Sequence, residues 1–307
     1  MSSTHPIDSD LSALDRASVW LHSDPLTAEA VRGRVVLVDI WTYSCVNWLR
    51  TLPYVRAWAE RYRDRGLVVV GVHCPEFGFE HDVDNVRRAV GELGVGYPVV
   101  IDNDFAIWRS FENHYWPAVY LVDRDGRVRF HHFGEGNYEE TERAIQQLLG
   151  IDEATVSVEA GGLAEAADWD TLGTGETYLG YGRGAGRVDS PAQLALNHWA
   201  LSGDWAVDEE SAVLSAAGGS ITCRFQARDV NLVLAPPASS APVRFGVLLD
   251  GHPAGDAHGI DVDDSGEGTL AEPRMYQLVR QRGAGAERAC EITFVDPGVR
   301  AYVFTFG

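Results

Sequence analysis

The chain carries four cysteines, and one of them stands where a thiol can react. Cys45 lies in "VVLVDIWTYSCVNWLRTLPYV", residues 35–55, where an almost continuous apolar run enters a short turn and helical spacing begins. That context places Cys45 at or near a helix N-terminus, where unpaired backbone N–H groups and the helix dipole favour a thiolate. A thiolate attacks disulfides and oxidised sulfur. A second cysteine three residues on would make a dithiol, but that position is Trp48. Asp39 interrupts the apolar run six residues before the cysteine. A carboxylate there is costly unless it has a partner or a role. A proton acceptor or relay for the thiol and a structural aspartate held by a local hydrogen bond both remain open.

Cys74, in "HCPEF", follows the apolar run "LVVVGVH". It therefore sits at the carboxyl end of a strand, where open α/β sheets place their sites. Cys45 sits at the carboxyl end of its own strand, so neighbouring strands could bring the two sulfurs within disulfide reach. The alternative is a small residue that packs a loop. His73 and Glu76 flank Cys74, while Glu112 and His114 precede Trp116-Pro117. His73, Glu76 and His114 are candidate proton relays. Trp41, Trp48, Trp108 and Trp116 are core aromatics or an aromatic rim suited to an apolar or peptide substrate.

The elements that must position these residues are legible in residues 1–152. "RVVLVDIW" and "LVVVGVH" read as strands buried on both faces. "NWLRTLPYVRAWAERYRDRG" repeats apolar residues at helical spacing up to Gly66, and "HDVDNVRRAVGELG" is a second helix. "PAVYLVDRDGRVRFHHFG" is a hairpin turning at Asp125-Gly126, followed by a helix over "NYEETERAIQQLLG". Residues 153–175 are rich in Ala, Gly and acids and read as a linker. From 176 to 307 short alternating strands recur ("ITCRFQA", "VNLVLAP", "VRFGVLLDG", "RMYQLVR", "ACEITFV", "RAYVFTFG"), which predicts an all-β sandwich or jelly roll.

The frame "VVLVDIW…C…R…LP" resembles the thioredoxin superfamily, closest to its TlpA/DipZ-like branch of thiol-disulfide oxidoreductases. The resemblance implies an α/β thioredoxin fold, with Asp39 at the family's buried-acid position, Cys45 at its nucleophile and Pro53 at its helix-kink proline. It places Trp116-Pro117 at the cis-proline that faces the nucleophile and binds substrate backbone. "ETYLGYGRG" and "PGVRAYVFTFG" resemble the β-sandwich appended to DipZ-type proteins, a carbohydrate-module-like domain. The membrane-embedded electron-transfer domain of such proteins has no counterpart, and the family's resolving cysteine falls on Trp48.

In the second half, Cys223 and Cys290 fall on the apolar phase of their strands and read as buried thiols. Asp261, Asp263, Ser265, Gly266 and Glu272 take positions 1, 3, 5, 6 and 12 of a calcium loop, but Gly268 occupies the aliphatic position. An acidic hairpin loop is the preferred reading, with Ca2+ second. Tyr178, Tyr181, Trp199 and Trp205 are candidates for a carbohydrate-stacking platform; a protein ligand is the alternative.

A formal charge of −20 argues against nucleic acid or an anionic membrane as partner. "MSSTHPIDSDLSALDR" has no signal-peptide pattern and no apolar run approaches the ~20 residues that cross a bilayer. Four cysteines in 307 residues do not make a secreted disulfide framework, so a cytoplasmic protein without a cofactor is expected. The leading function is a thiol oxidoreductase using Cys45, resolved by Cys74 or an external thiol. A one-cysteine peroxidase acting on hydroperoxide is the runner-up. Thr42, three residues before Cys45, fits its pattern; Val38, where proline is expected, does not. Soft-metal binding (Cu(I) on Cys45, Cys74 and His73 or His114) and a scaffold without chemistry complete the set.

Overall fold

The computed structural model describes residues 11–237 and 242–307. The beginning of the segment read for a signal peptide, residues 1–10, lies outside them. The chain divides into two compact units, Met1–Ala164 and Glu165–Gly307.

The first unit is built on six strands: β1 (Trp20–Leu21), β2 (Val35–Trp41), β3 (Leu67–His73), β4 (Val99–Ile101), β5 (Ala118–Val122) and β6 (Val128–Phe133). Their order in the sheet is β1-β4-β3-β2-β5-β6. β2, β3 and β4 run parallel, and β5 and β6 antiparallel to their neighbours. The helices are α1 (Val46–Tyr62), α2 (Val83–Glu92), α3 (Ala106–Ser110) and α4 (Tyr138–Leu149). This is the thioredoxin order expected above, with the short α3 added.

Local chemistry sets the boundaries. α1 runs through Pro53, and a 3-10 turn then carries the chain to Gly66 in the left-handed region (φ 106). Asp82 caps α2 by accepting from the Asp84 amide at 2.9 Å. In the β5–β6 turn Gly126 has φ 83, and the Asp123 carboxylate accepts from the Asp125 and Arg127 amides.

β2 is buried at every residue, and its alternation divides the site between two faces. Val36, Val38 and Ile40 join Val70, Val72, Cys74, Ile107 and Phe111 in one apolar cluster. Asp39 and Trp41 point the other way, opposite Gly71 and His73 in the β2–β3 register, toward the face where Trp48 of α1 reaches Asp39. Gly71 is required there: a Cβ would stand 2.9 Å from the Trp41 indole nitrogen and 2.9 Å from the Tyr97 ring.

Residues 153–175 are anchored rather than loose. Glu153 accepts from Arg61 and Arg65, the Val156 amide donates to Glu142, and a 3-10 turn over Gly162–Ala164 packs on α1. Beyond the division, Glu165 pairs with Arg228 and Arg280, and the Gly173 amide donates to Gln226.

The second unit is two sheets on one core. The first has the order β10 (Trp205–Val207), β11 (Ala212–Leu214), β19 (Arg300–Phe306), β13 (Asp229–Ala235), β17 (Arg274–Arg280), with β7 (Thr177–Tyr178) also on β19. The second has the order β15 (His252–Pro253), β14 (Val243–Leu249), β18 (Ala286–Phe294), β12 (Ser220–Ala227), β9 (Trp199–Ser202), β8 (Arg187–Val188), with β16 (Glu267–Leu270) on β14. Leu232, Leu234 and Phe304 of one sheet meet Phe225, Val247 and Ile292 of the other in a single apolar cluster. Among the described residues no helix is long and apolar enough to cross a membrane.

Candidate functional site

Cys45 is the N-cap of α1, in extended conformation (φ −79, ψ 114), and its carbonyl accepts from the Leu49 amide at 3.0 Å. Its side chain is half-buried at the positive end of a helix of 17 residues. The Trp116-Pro117 peptide is cis. Pro117 leads into β5, whose Ala118 pairs with Ile40, so the proline and Cys45 belong to the same end of the sheet.

Trp48 does more than replace a cysteine. Its ring stacks on Trp41 with centroids 4.0 Å apart and planes inclined by 8°. Its indole N–H donates to Asp39 Oδ2 at 3.2 Å, and the Tyr97 hydroxyl donates to the same oxygen at 3.1 Å. The carboxyl is fully buried, and burial raises its pKa to about 7 against the pull of those two donors. Among the described residues Asp39 Oδ1 has no hydrogen-bond partner. The buried Asp39 carboxyl is thus capped on one oxygen by an indole that can neither take nor give a proton.

His73 lies edge-on to Trp41 and stacked on Tyr43, fully buried, with no partner in another described residue for either ring nitrogen. Burial, with a smaller contribution from His81, drives its pKa down to about 3, so the imidazole is neutral near pH 7. That removes it as a relay that must carry charge near pH 7.

Cys74 differs from the expectation of a rim thiol. It is 0% exposed, on the face of Val70 and Val72 rather than that of Asp39 and Trp48. Its Sγ–H donates to Asp102 Oδ2 at 3.4 Å, and that carboxylate also accepts from the Ile107 and Trp108 amides at the start of α3. Trp116 covers it and donates from its indole to the Cys74 carbonyl at 3.1 Å. Burial first, then the Asp102 charge, pushes this thiol well above its usual range. A resolving thiol must ionise and reach its target; Cys74 is placed for neither.

A second buried acid, which the sequence does not single out, bonds the residue before Cys45. Glu80 Oε1 accepts from the hydroxyl of Ser44, the residue before Cys45, at 2.5 Å. Its other oxygen accepts from the Glu76 and Phe77 amides at 2.6 and 3.0 Å. Burial, then the Glu76 charge, raises its pKa to about 7, with the Ser44 and Thr42 hydroxyls and the Phe77 amide working against that rise. The one signal available in the sequence is an acid inside an aromatic run, "EFGFEH". Glu76 itself is half-buried and His114 exposed. Trp108 and Trp116 pack together at 4.3 Å over the Cys74 side of the sheet.

In the second unit the proposed ligands are dispersed. Trp199 is buried in the core with its indole donating to the Ala185 carbonyl, so it cannot join a stacking platform. Tyr181 is exposed, Trp205 is half-buried, and the Arg183 guanidinium lies over the half-buried Tyr178 ring at 3.8 Å. Asp261 binds Arg274 and the Gln277 amide, while Asp263 folds its own turn by accepting from Ser265 and Glu267. The Glu272 carbonyl accepts from the Tyr276 hydroxyl. Among the described residues no group of three or more His, Cys, Asp and Glu side chains is placed to hold a metal ion.

Residues 16–149 match the family model described as Redoxin, and residues 174–307 the one described as Thioredoxin like C-terminal domain. Protein DipZ of Mycobacterium tuberculosis is 35% identical over 94% of this chain, which spans 41% of the DipZ length. The thiol-disulfide oxidoreductase YkuV of Bacillus subtilis is 27% identical, over 44% of this chain and 90% of its own. With a Redoxin segment on a thioredoxin-ordered sheet and this C-terminal segment behind it, the chain is similar to TlpA/DipZ-like proteins of the thioredoxin superfamily.

Proposed function

We propose that the protein is a one-thiol member of the thiol-disulfide oxidoreductases, with Cys45 as nucleophile and an external thiol as resolver. The observation that carries this reading is the occupancy of the C-x-x-C frame: a half-exposed thiol at the N-cap of α1, and a fully buried indole where its partner would stand. The Cys45 thiolate attacks a substrate disulfide R–S–S–R′, forming Cys45–S–S–R and releasing R′–S⁻. An external thiolate R″–S⁻ then attacks the substrate sulfur of the adduct, forming R–S–S–R″ and returning Cys45 as thiolate. The cis-proline loop at the same sheet end offers the extended backbone against which a peptide substrate lies. Ser44, next to the nucleophile in sequence, donates from its hydroxyl to the buried Glu80 carboxyl, which fixes the turn that carries Cys45.

The test is turnover of a small aromatic disulfide with excess external thiol. Cys45→Ser should reduce the rate to the uncatalysed background, and mass spectrometry of wild-type protein quenched without external thiol should find the substrate half on Cys45 alone. Unchanged turnover in Cys45→Ser would leave the family's chemistry without a carrier here. Turnover of hydroperoxide through a Cys45 sulfenic acid, with no disulfide activity, would favour the peroxidase reading.

A further inference from the structure

Cys223 and Cys290 stand directly opposite each other in the antiparallel register of β12 and β18. Opposed residues in such a pair have Cα atoms about 4.5 or 5.5 Å apart and project to the same face. Either spacing falls within the roughly 4.4–6.8 Å that a disulfide spans. The shared face is the core: both cysteines belong to the buried apolar cluster. They form the middle of a cross-sheet row, with Leu249 beside Cys290 and Trp199 beside Cys223. The facing Cys223 thiol, and then burial, push Cys290 well above the usual thiol range.

We propose that Cys223 and Cys290 are a redox site in their own right, closing to a cross-strand disulfide by exchange with a small-molecule disulfide of the glutathione type. One thiol loses its proton to solvent and attacks the external disulfide R–S–S–R, releasing R–S⁻ and leaving a mixed disulfide. The facing thiol then ionises and attacks the protein sulfur of that adduct, releasing the second R–S⁻. Two protein thiols are oxidised and one external disulfide is reduced to two thiols, so electrons and protons balance. Both attacks need a thiolate and an approach path, and the packed sheet provides neither. The exchange therefore runs while the domain folds or opens, and the packed domain then protects whichever state was formed. The site records the thiol–disulfide balance met at folding, and its closed state ties two central strands of the sheet together.

The experiment uses the full chain, both as wild type and as Cys45→Ser/Cys74→Ser, which leaves only this pair. Each is equilibrated at graded ratios of reduced to oxidised glutathione in urea near its midpoint, returned to buffer, alkylated, digested and mapped. A Cys223–Cys290 peptide should grow with the oxidised fraction, the mass should fall by two hydrogens, and the oxidised protein should unfold at higher urea than the reduced. Cys223→Ala should lose the dependence of its urea midpoint on the glutathione ratio. The proposal is overturned if both thiols are recovered alkylated at every ratio, if glutathione remains singly attached to either cysteine, or if the cross-linked protein fails to regain its folded spectrum. Wild-type mapping decides the matter should the double variant not fold.

Discussion

The two units place their thiols in opposite environments, and the contrast separates reactivity from pairing. In the first unit Cys45 is half-exposed at a helix N-terminus, with a buried tryptophan where a second thiol would stand. In the second, Cys223 and Cys290 face each other in register, but both are sealed in a core made of strands. One region has access without a facing thiol; the other has a facing thiol without access. A dithiol catalyst needs both at one site. That separation is what the proposed roles rest on: exchange with an external thiol at the redoxin frame, and a slow structural bond at the facing pair.

The largest expected effect comes from forcing a second thiol on Cys45. Trp48→Cys restores C-x-x-C in sequence but deletes a fully buried indole that stacks on Trp41 and donates to Asp39. Truncating a buried large aromatic typically costs about 3–5 kcal/mol. The variant should therefore lose several kcal/mol in urea unfolding when reduced, and recover part of that when oxidation joins Cys45 to the introduced thiol. Unfolding identical to wild type in the reduced state would mean that Trp48 is not the packing element its geometry makes it.

A second effect, of similar scale but opposite sign, concerns the buried acids. Asp39 and Glu80 both titrate near pH 7 in the folded protein, above their values in an unfolded chain. A raised folded pKa means that the folded state holds a proton the unfolded state has lost. Their contribution to stability is present below about pH 4 and is lost as pH rises toward 7. His73, with its folded pKa depressed to about 3, acts in reverse: its contribution is lost as pH falls below about 6.5. Asp39→Asn should gain stability over wild type as pH rises from about 4 to 7, levelling above that at a gain on the order of 4 kcal/mol or less. Unfolding free energies across pH 4–8 decide it; a difference that does not vary with pH would show Asp39 to be ionised when folded.

The strand and helix elements of the first unit are legible in the sequence because each has a strong periodic signal and a chemical stop, such as Gly66 after α1 or Asp125-Gly126 in the hairpin. The β segments of the second unit are legible for the same reason. What the sequence hides is the direction of side chains at strand ends. Cys74 follows His73 by one residue, and that one step turns it to the opposite face from Asp39 and Trp48. The facing of Cys223 and Cys290 is equally hidden, because strand register is a nonlocal property. Glu80 escapes a sequence reading because its partner, Ser44, is 36 residues away. Residues 153–175 read as a linker from composition alone, whereas their polar groups are bound piecemeal to the units on either side.

The smallest expected effect is also the sharpest test of the contrast. If access and pairing are truly separated, Cys74 contributes to packing and not to turnover. Its thiol makes one long hydrogen bond to Asp102, whose carboxylate keeps the Ile107 and Trp108 amides without it. Cys74→Ser retains a donor in nearly the same place and removes only the size and polarizability of sulfur. A substitution of that kind in a core should cost about 1 kcal/mol. Turnover with external thiol should stay within about twofold of wild type, since a factor of two corresponds to less than about 0.5 kcal/mol in the barrier. The measurement is steady-state turnover of the disulfide together with mapping of Cys45 adducts. A Cys74→Ser protein that stalls with substrate trapped on Cys45 would show that the sheet opens during catalysis and that Cys74 reaches the nucleophile. Normal turnover with no adduct left on Cys45 would leave the external thiol as resolver.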